Sequence, residues 1–330
     1  MKEKIHKWKE EILAGRKLER EAVLELLALD PESEECKALG HAAGEVAKIV
    51  SGNRAYLWGA MGIDYKTCPM NCDFCSLGEK WGIVQQEKEF SMEEIIENVR
   101  WYAKNKVRWI VLRTTEFYSL DQLEELIGRI RNAVPGAYEI GLNVGEFDEK
   151  KAVKLYERGV QFIYHSLRLG EGKDTLFDPQ VRKNTLNAVK NSPLKLVFLV
   201  EPIGVEHTNE EIADICQMTI DYGAIVSGAM ARVPVPGTPL GRYPQISQKR
   251  LAQIIAVIRL ACGWQVKDIC VHPASETAVA WGANVVVVET GSVPRDRCCF
   301  PKEKWNSFDV EQAAGWFQTE GFKVCSTAED

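Results

Sequence analysis

From Tyr56 onward the chain repeats one unit: a short apolar run, a loop, then an amphipathic helix. Strands joined by helical crossovers pair in parallel, because each helix carries the chain back to the same end of the sheet. Eight such units are legible. Their strands are expected at Tyr56–Ile63, Trp109–Arg113, Tyr138–Asn143, Phe162–Ser166, Leu196–Val200, Ile225–Ala231, Asp268–Val271 and Asn284–Glu289. Helices follow near Ser91–Asn105, Leu120–Ala133, Asp148–Arg158, Pro179–Lys190, Asn209–Tyr222, Ser247–Cys262, Ala274–Trp281 and Asp309–Glu320. Ser91 begins a capping box, and Asn209 and Ser247 are read as similar caps. Eight units fit a (β/α)8 TIM-type barrel, full or nearly full, which takes ~250 residues. An open doubly wound sheet is the other architecture that this alternation allows.

Residues 1–55 lack the alternation. Trp8, Ile12 and Leu13, then Leu24, Leu26 and Leu27, recur at helical spacing, and a further helix is expected from Ser33 to Val50, before Ser51-Gly52-Asn53. The expected organisation is an α/β barrel over 56–297, a helical extension over 1–55 and a C-terminal segment over 298–330.

Composition narrows the function classes. The 330 residues are 45% hydrophobic and 27% charged, with a net charge of −6 and no uniformly basic run, so nucleic acid is not expected as the main partner. No apolar stretch approaches the ~20 residues of a membrane span, so no membrane is expected. The first twenty residues are charged and helical in pattern, unlike a secretory signal. Ten cysteines without such a signal point to a reducing compartment, read as the cytoplasm.

In a barrel the chemistry gathers at the C-terminal ends of the strands. The residues there are Thr114-Thr115-Glu116, Asn143, His165-Ser166-Leu167-Arg168, Glu201, Arg232, His272, Glu289 and a loop of three cysteines. That loop reads Thr67-Cys68-Pro69-Met70-Asn71-Cys72-Asp73-Phe74-Cys75, or C-x3-C-x2-C. Three thiolates this close can hold three irons of a cubane and leave a fourth open. Zinc is the alternative, but a structural zinc site needs four ligands and the neighbourhood supplies no fourth cysteine.

This loop resembles that of the radical S-adenosylmethionine (SAM) superfamily. The resemblance implies a 4Fe–4S cluster on Cys68, Cys72 and Cys75, with SAM chelating the open iron. One electron then splits SAM into methionine and a 5′-deoxyadenosyl radical, which takes hydrogen from a small or carrier-bound substrate. It also implies that Phe74 packs against the adenine. Glu116, in the place of a Gly-Gly-Glu-like turn, would meet the SAM amino group, although here Thr114 and Thr115 replace the glycines. Arg168 offers a planar fork suited to the SAM carboxylate. Ser166 stands beside it, and Glu171 and Glu201 are candidates for the amino group or ribose hydroxyls. The stretch Pro234-Val235-Pro236-Gly237-Thr238-Pro239-Leu240 resembles the biotin synthase-like branch, whose relatives include hydrogenase maturases, methylornithine synthase, a guanylylpyridinol-cofactor protein and archaeal-type lipoyl synthases.

Cys298 and Cys299 lie beyond the eighth strand beside Arg295, Asp296 and Arg297, which favour thiolate. With Cys325 they are either ligands of an auxiliary iron–sulfur cluster or peripheral thiols. Cys36, Cys216, Cys262 and Cys270 are read as structural. His272 and Tyr164 are the candidate catalytic residues. The expected reaction is sulfur insertion at an unactivated carbon, as in lipoyl synthesis. The alternatives are radical rearrangement or fragmentation in metal-cofactor or amino-acid biosynthesis, or a non-catalytic iron–sulfur protein. A low-potential donor such as ferredoxin or flavodoxin is the expected electron source.

Overall fold

The computed structural model describes residues 1–115, 118–292 and 309–327. Eight parallel strands close a barrel: β1 Arg54–Gly62, β2 Trp109–Arg113, β3 Glu139–Asn143, β4 Phe162–Tyr164, β5 Lys195–Val197, β6 Val226–Ala231, β7 Asp268–His272 and β8 Val285–Gly291. Each pairs with its successor, and β8 returns to β1 through Tyr56↔Val285 to Gly62↔Gly291. The closed sheet settles the choice against an open one.

Eleven helices are described: α1 Lys2–Leu13, α2 Arg20–Leu27, α3 Glu34–Ser51, α4 Met92–Lys104, α5 Leu120–Ala133, α6 Glu149–Glu157, α7 Pro179–Lys190, α8 Asn209–Asp221, α9 Gln248–Cys262, α10 Glu276–Ala280 and α11 Val310–Thr319. Their starts follow side-chain chemistry. Ser91 accepts from the Glu94 N–H while Glu94 reaches back to Ser91, and Ser247 accepts from the Arg250 N–H. The expected cap at Asn209 is displaced by one residue. Thr208 holds that position because Glu211, three residues on, completes the reciprocal pair; Asn209 instead accepts from Arg250.

The fifth strand also departs from expectation. The ladder stops at Val197, and Val200–Ile203 forms a separate short strand against β6 with a shifted register. Two features break it. Leu199 gives its N–H to the Ser166 hydroxyl, and Pro202 has no N–H to give.

The three N-terminal helices pack on the barrel's outer layer, chiefly α3 on α9. Two glycines allow it. A Cβ on Gly40 would stand 2.3 Å from the Trp281 ring, and one on Gly44 would stand 2.5 Å from the Ala280 carbonyl. Ile5, Ile12, Leu26, Leu39 and Val46 share one buried core with the strand–helix layer. Cys216 and Cys262 are buried in that layer and Cys270 faces the barrel axis.

Inside the barrel the filling is graded. Tyr56, Trp58, Trp109, Phe162 and Val285 crowd the N-terminal half. Along β1 the inward residues then shrink from Trp58 to Ala60 to Gly62. The same strand that plugs the bottom therefore opens a cavity at the top.

Candidate active site

The cysteine loop is an excursion from the end of β1. Its base is closed by a two-residue ribbon, Asp64–Tyr65 against Lys88–Glu89. Within it Asn71 takes a left-handed conformation (φ 45°), and its side chain accepts from the Lys80 N–H at 2.9 Å. Trp81 donates its indole N–H to the Cys72 carbonyl at 3.2 Å. Two neighbouring loops clamp the outside. The Asp73 N–H reaches the Asp174 carbonyl at 2.8 Å, and the Leu240 N–H reaches the Asp73 carbonyl at 2.9 Å. The proline-rich loop after β6 thus holds the cysteine loop from outside, while Arg232 and Val233 at its start line the cavity.

Cys68, Cys72, Cys75 and Phe74 line one cavity with Arg168, Tyr164, Glu201, His272 and Thr114. Burial pushes the Cys72 thiol up to about 12 and the Cys75 thiol up to about 11. Such thiols ionise only against a cationic partner, which suits metal ligation. Among the described residues no three His, Cys, Asp or Glu side chains converge as they would around one ion. In a cubane each thiolate takes its own iron, so its ligands stand apart.

Two charged walls face each other across the cavity. Beside the cysteines, Arg168 comes from the loop that follows β4, with Glu201 from the short strand Val200–Ile203. Glu201 is buried, accepts from the Tyr164 hydroxyl, and has its pKa raised by burial. Burial also raises the Tyr164 phenol. On the far wall, Glu289 of β8 bridges two partners. Its Oε1 takes Arg113 Nη1 at 3.0 Å and its Oε2 lies 3.2 Å from His272 Nε2. Arg113 also donates to the Ser292 carbonyl at 2.7 Å, which pins the end of β8. The floor between the walls is apolar: Trp58, Val111, Leu199 and Val287, with Trp58 edge-on to Tyr164 at 5.0 Å.

Not every expected residue faces this space. Ser166 is buried, takes the Leu199 N–H and stands behind Glu201. Glu171 lies behind Arg168, held by Arg168, Thr175 and Arg182, and is not part of the lining. Cys325 lies at the opposite end of the barrel: it gives its N–H to the Ala55 carbonyl, where Lys323–Val324 pairs with the start of β1. It is not brought to the mouth. Glu116, Cys298 and Cys299 lie outside the described residues. Asp64 was missed by sequence reasoning. It is buried at the cavity wall and accepts from the Thr115 N–H at 2.9 Å. An acid inside the apolar run Met61-Gly62-Ile63-Asp64-Tyr65 was the available signal.

His165 also stands behind the wall, 3.4 Å from Glu146. Burial, with Arg182 acting in the same direction, lowers its pKa from 6.5 to about 4. Between those values the unfolded chain binds a proton that the folded chain refuses. Stability therefore falls as pH drops from 6.5 towards 4, by roughly 3 kcal/mol in total. A His165→Gln chain followed by urea melts from pH 7 to 4.5 should show a shallower decline; an unaltered slope would remove His165 as its source.

No family model matches the chain. Its curated relatives include biotin synthases. That of Persephonella marina is 22% identical over 268 residues, covering 76% of each chain. That of Frankia alni is 23% identical over 298 residues, covering 86% of this chain and 83% of the other. Among solved structures, methylornithine synthase (PylB) superposes with a TM-score of 0.82 at 18% identity, over 96% of this chain and 97% of that one. The FeFe-hydrogenase maturase HydG from Carboxydothermus hydrogenoformans gives 0.75 at 16% identity, over 97% of this chain and 79% of that one. The likeness in structure is to the barrel as a whole, and the likeness in sequence is to enzymes. Taken with the three-cysteine loop at the barrel mouth, the chain is similar in sequence to the biotin synthase-like branch of the radical SAM superfamily and shares its barrel fold.

Proposed function

We propose that this radical SAM enzyme removes hydrogen from a carbon of a small polar substrate held in the barrel, between the cysteine loop and the Arg113–Glu289–His272 wall. The observation that carries this reading is the shared cavity: three cysteines and two buried ionic groups open onto one space with an apolar floor. The 4Fe–4S cluster and SAM supply, when bound, the hydrogen-abstracting radical chemistry of the superfamily. Cys68, Cys72 and Cys75 would hold the cluster, and Arg168 would take the SAM carboxylate by its fork. Glu201 would accept from SAM's ammonium or ribose hydroxyls, its orientation kept by Tyr164. Phe74 would lie against the adenine. Glu116 is assigned to the ammonium on the sequence resemblance alone. His272, steadied through Nε2 by Glu289, is placed to exchange a proton with the substrate. The packed aromatic floor excludes water from below, which protects a reactive carbon centre.

Anaerobic reduction of the reconstituted chain with SAM should yield 5′-deoxyadenosine. None with dithionite, flavodoxin or ferredoxin as donor would defeat the reading. Sulfur insertion is the second reading, favoured by the likeness to biotin synthases. It would need an auxiliary cluster, with Cys298 and Cys299 as candidate ligands and without Cys325. About four irons per chain, the content of a single cubane, would remove it, whereas a larger iron and sulfide count would support it. Among the described residues no helix is long and apolar enough to cross a membrane.

A further inference from the structure

We infer that the part of the substrate held in the barrel is uncharged: an aliphatic chain over the floor, ending in a carbonyl or amide oxygen near Arg113. This substrate class rests on the reading of the cavity as the place of hydrogen abstraction.

The charges of this space are already matched within the chain. Among the described residues three arginines line the cavity, and Arg168 stands beside the cysteines. Each of the other two holds a carboxylate. Glu289 takes Arg113 Nη1 at 3.0 Å, and its second oxygen lies 3.2 Å from His272 Nε2. Glu206 takes both terminal nitrogens of Arg232, Nη2 at 2.8 Å. A substrate carboxylate would have to displace one of these acids. A substrate ammonium would compete with Arg113 and His272 for Glu289. Asp64 stands at the base of the cysteine loop, where the Thr115 N–H and hydroxyl occupy its oxygens. An ion entering this space gives up its hydration and finds its counter-charges engaged.

The hydrogen-bond donors are not matched. Arg113 Nε, the Thr114 hydroxyl and the Trp58 indole N–H are buried and have no hydrogen-bond partner among the described residues. All three residues belong to the cavity lining. Buried donors are normally bonded, so these three call for an acceptor. Beside a guanidinium whose charge Glu289 already balances, the acceptor that leaves the balance intact is a neutral oxygen. The floor of Val111, Leu199 and Val287 offers apolar surface, which suits methylene groups. Matched charge, unmet donors and an apolar floor together fit a neutral acyl chain better than an amino acid or a free acid.

The test uses the full chain, reconstituted anaerobically, loaded with SAM and left unreduced. Hexanamide, hexanoate and hexylamine share one chain and differ in the charge of the head. Their binding is compared by saturation-transfer NMR at pH 8, well above the ~6.5 of an ordinary imidazole. Hexanamide should bind at least about 10-fold more tightly than either ion, because each ion enters without a free counter-charge. Equal or tighter binding of hexanoate or hexylamine overturns the inference, as does no binding of hexanamide. Glu289→Gln keeps the shape of the side chain and leaves Arg113 without its carboxylate. Hexanoate should then bind at least about 10-fold more tightly than it does to wild type, a gain that a packing role for Glu289 does not predict; no gain overturns the inference. Should that variant fail to fold, Glu206→Gln frees Arg232 and should give the same gain, with the same consequence if it does not. Formation of 5′-deoxyadenosine under reduction separates the two levels. Hexanamide binding with no 5′-deoxyadenosine from any donor defeats the radical reading alone. Preferred binding of an ion to a chain that does form 5′-deoxyadenosine defeats the neutral substrate class alone.

Discussion

Cys72→Ala, reconstituted with iron and sulfide and reduced anaerobically with SAM, should form 5′-deoxyadenosine at least roughly 100-fold more slowly than wild type. Loss of an outer-shell partner alone costs 10–100-fold in metal affinity or activity, and a direct ligand costs more. The fold should survive. What Cys72 contributes to the loop is its backbone, through the Trp81 indole on its carbonyl and the turn from Cys75 N–H to Cys72 carbonyl at 3.0 Å. Neither bond involves the thiol. Iron content should fall in step with activity, while the melting temperature of the metal-free chain should move little. Retention of 5′-deoxyadenosine formation in Cys72→Ala would remove the cluster assignment.

The largest expected effect on stability lies at the other end of the barrel. Arg259 of α9 is fully buried beneath the strands and makes three donations: Nε to the Gly282 carbonyl at 2.8 Å, Nη1 to the Lys267 carbonyl at 2.8 Å, and Nη2 to Asn284 Oδ1 at 2.7 Å. Asn284 in turn accepts from the Ile269 N–H at 2.8 Å and donates to the Arg54 carbonyl at 3.1 Å and to Asp268 at 2.8 Å. One side chain thus fastens a helix to the starts of β7, β8 and β1, the seam where the barrel closes. Arg259→Met keeps the apolar stem but strips the Gly282 and Lys267 carbonyls of this donor, while Asn284 Oδ1 keeps the Ile269 N–H. Each orphaned carbonyl costs about 1–3 kcal/mol, so a loss of roughly 2–6 kcal/mol is expected. With an unfolding entropy of about 2.1 cal/mol/K per residue over 330 residues, that should lower Tm by roughly 3–9 °C in calorimetry. A Tm within ~2 °C of wild type would show that water or a neighbour replaces the guanidinium. Because the site is remote from the cysteine loop, SAM affinity measured well below Tm should not change.

The barrel was legible because its signals are local. Apolar runs of strand length, amphipathic helices between them and capping residues such as Ser91 depend on near neighbours in the chain. Seven strands fall where the runs place them. The fifth does not, because its ladder is broken by the hydroxyl of Ser166, in the loop after β4, together with Pro202. The cap at Thr208 turned on a single residue three places along. The cysteine loop was equally legible, since a chelating motif is carried by spacing in one short segment.

Direction was not legible. Ser166, Arg168 and Glu171 follow the same strand within seven residues, yet only Arg168 enters the cavity. Strand-end backbone and the pull of Arg182 and Thr175 turn the others away. Cys325 groups with Cys298 and Cys299 in sequence because all three lie late in the chain. Its segment instead pairs with the start of β1, so the closing of a barrel separates what sequence had grouped. The Arg113–Glu289–His272 wall depends on strands β2, β8 and β7, distant in sequence and brought together only by the curvature of the closed sheet.

The amino-acid sequence by itself determined the alternation of parallel strands and helices, the N-terminal helices and a three-thiol loop one ligand short of a closed site, because period, capping and chelate spacing are short-range physics; closure of the sheet into a barrel was decided by the tertiary structure. Tertiary structure alone decided which charged residues face that loop. A buried charge must be matched by whatever the folded chain brings within a few ångströms, and for Arg168 that match is a carboxylate shared with Arg182.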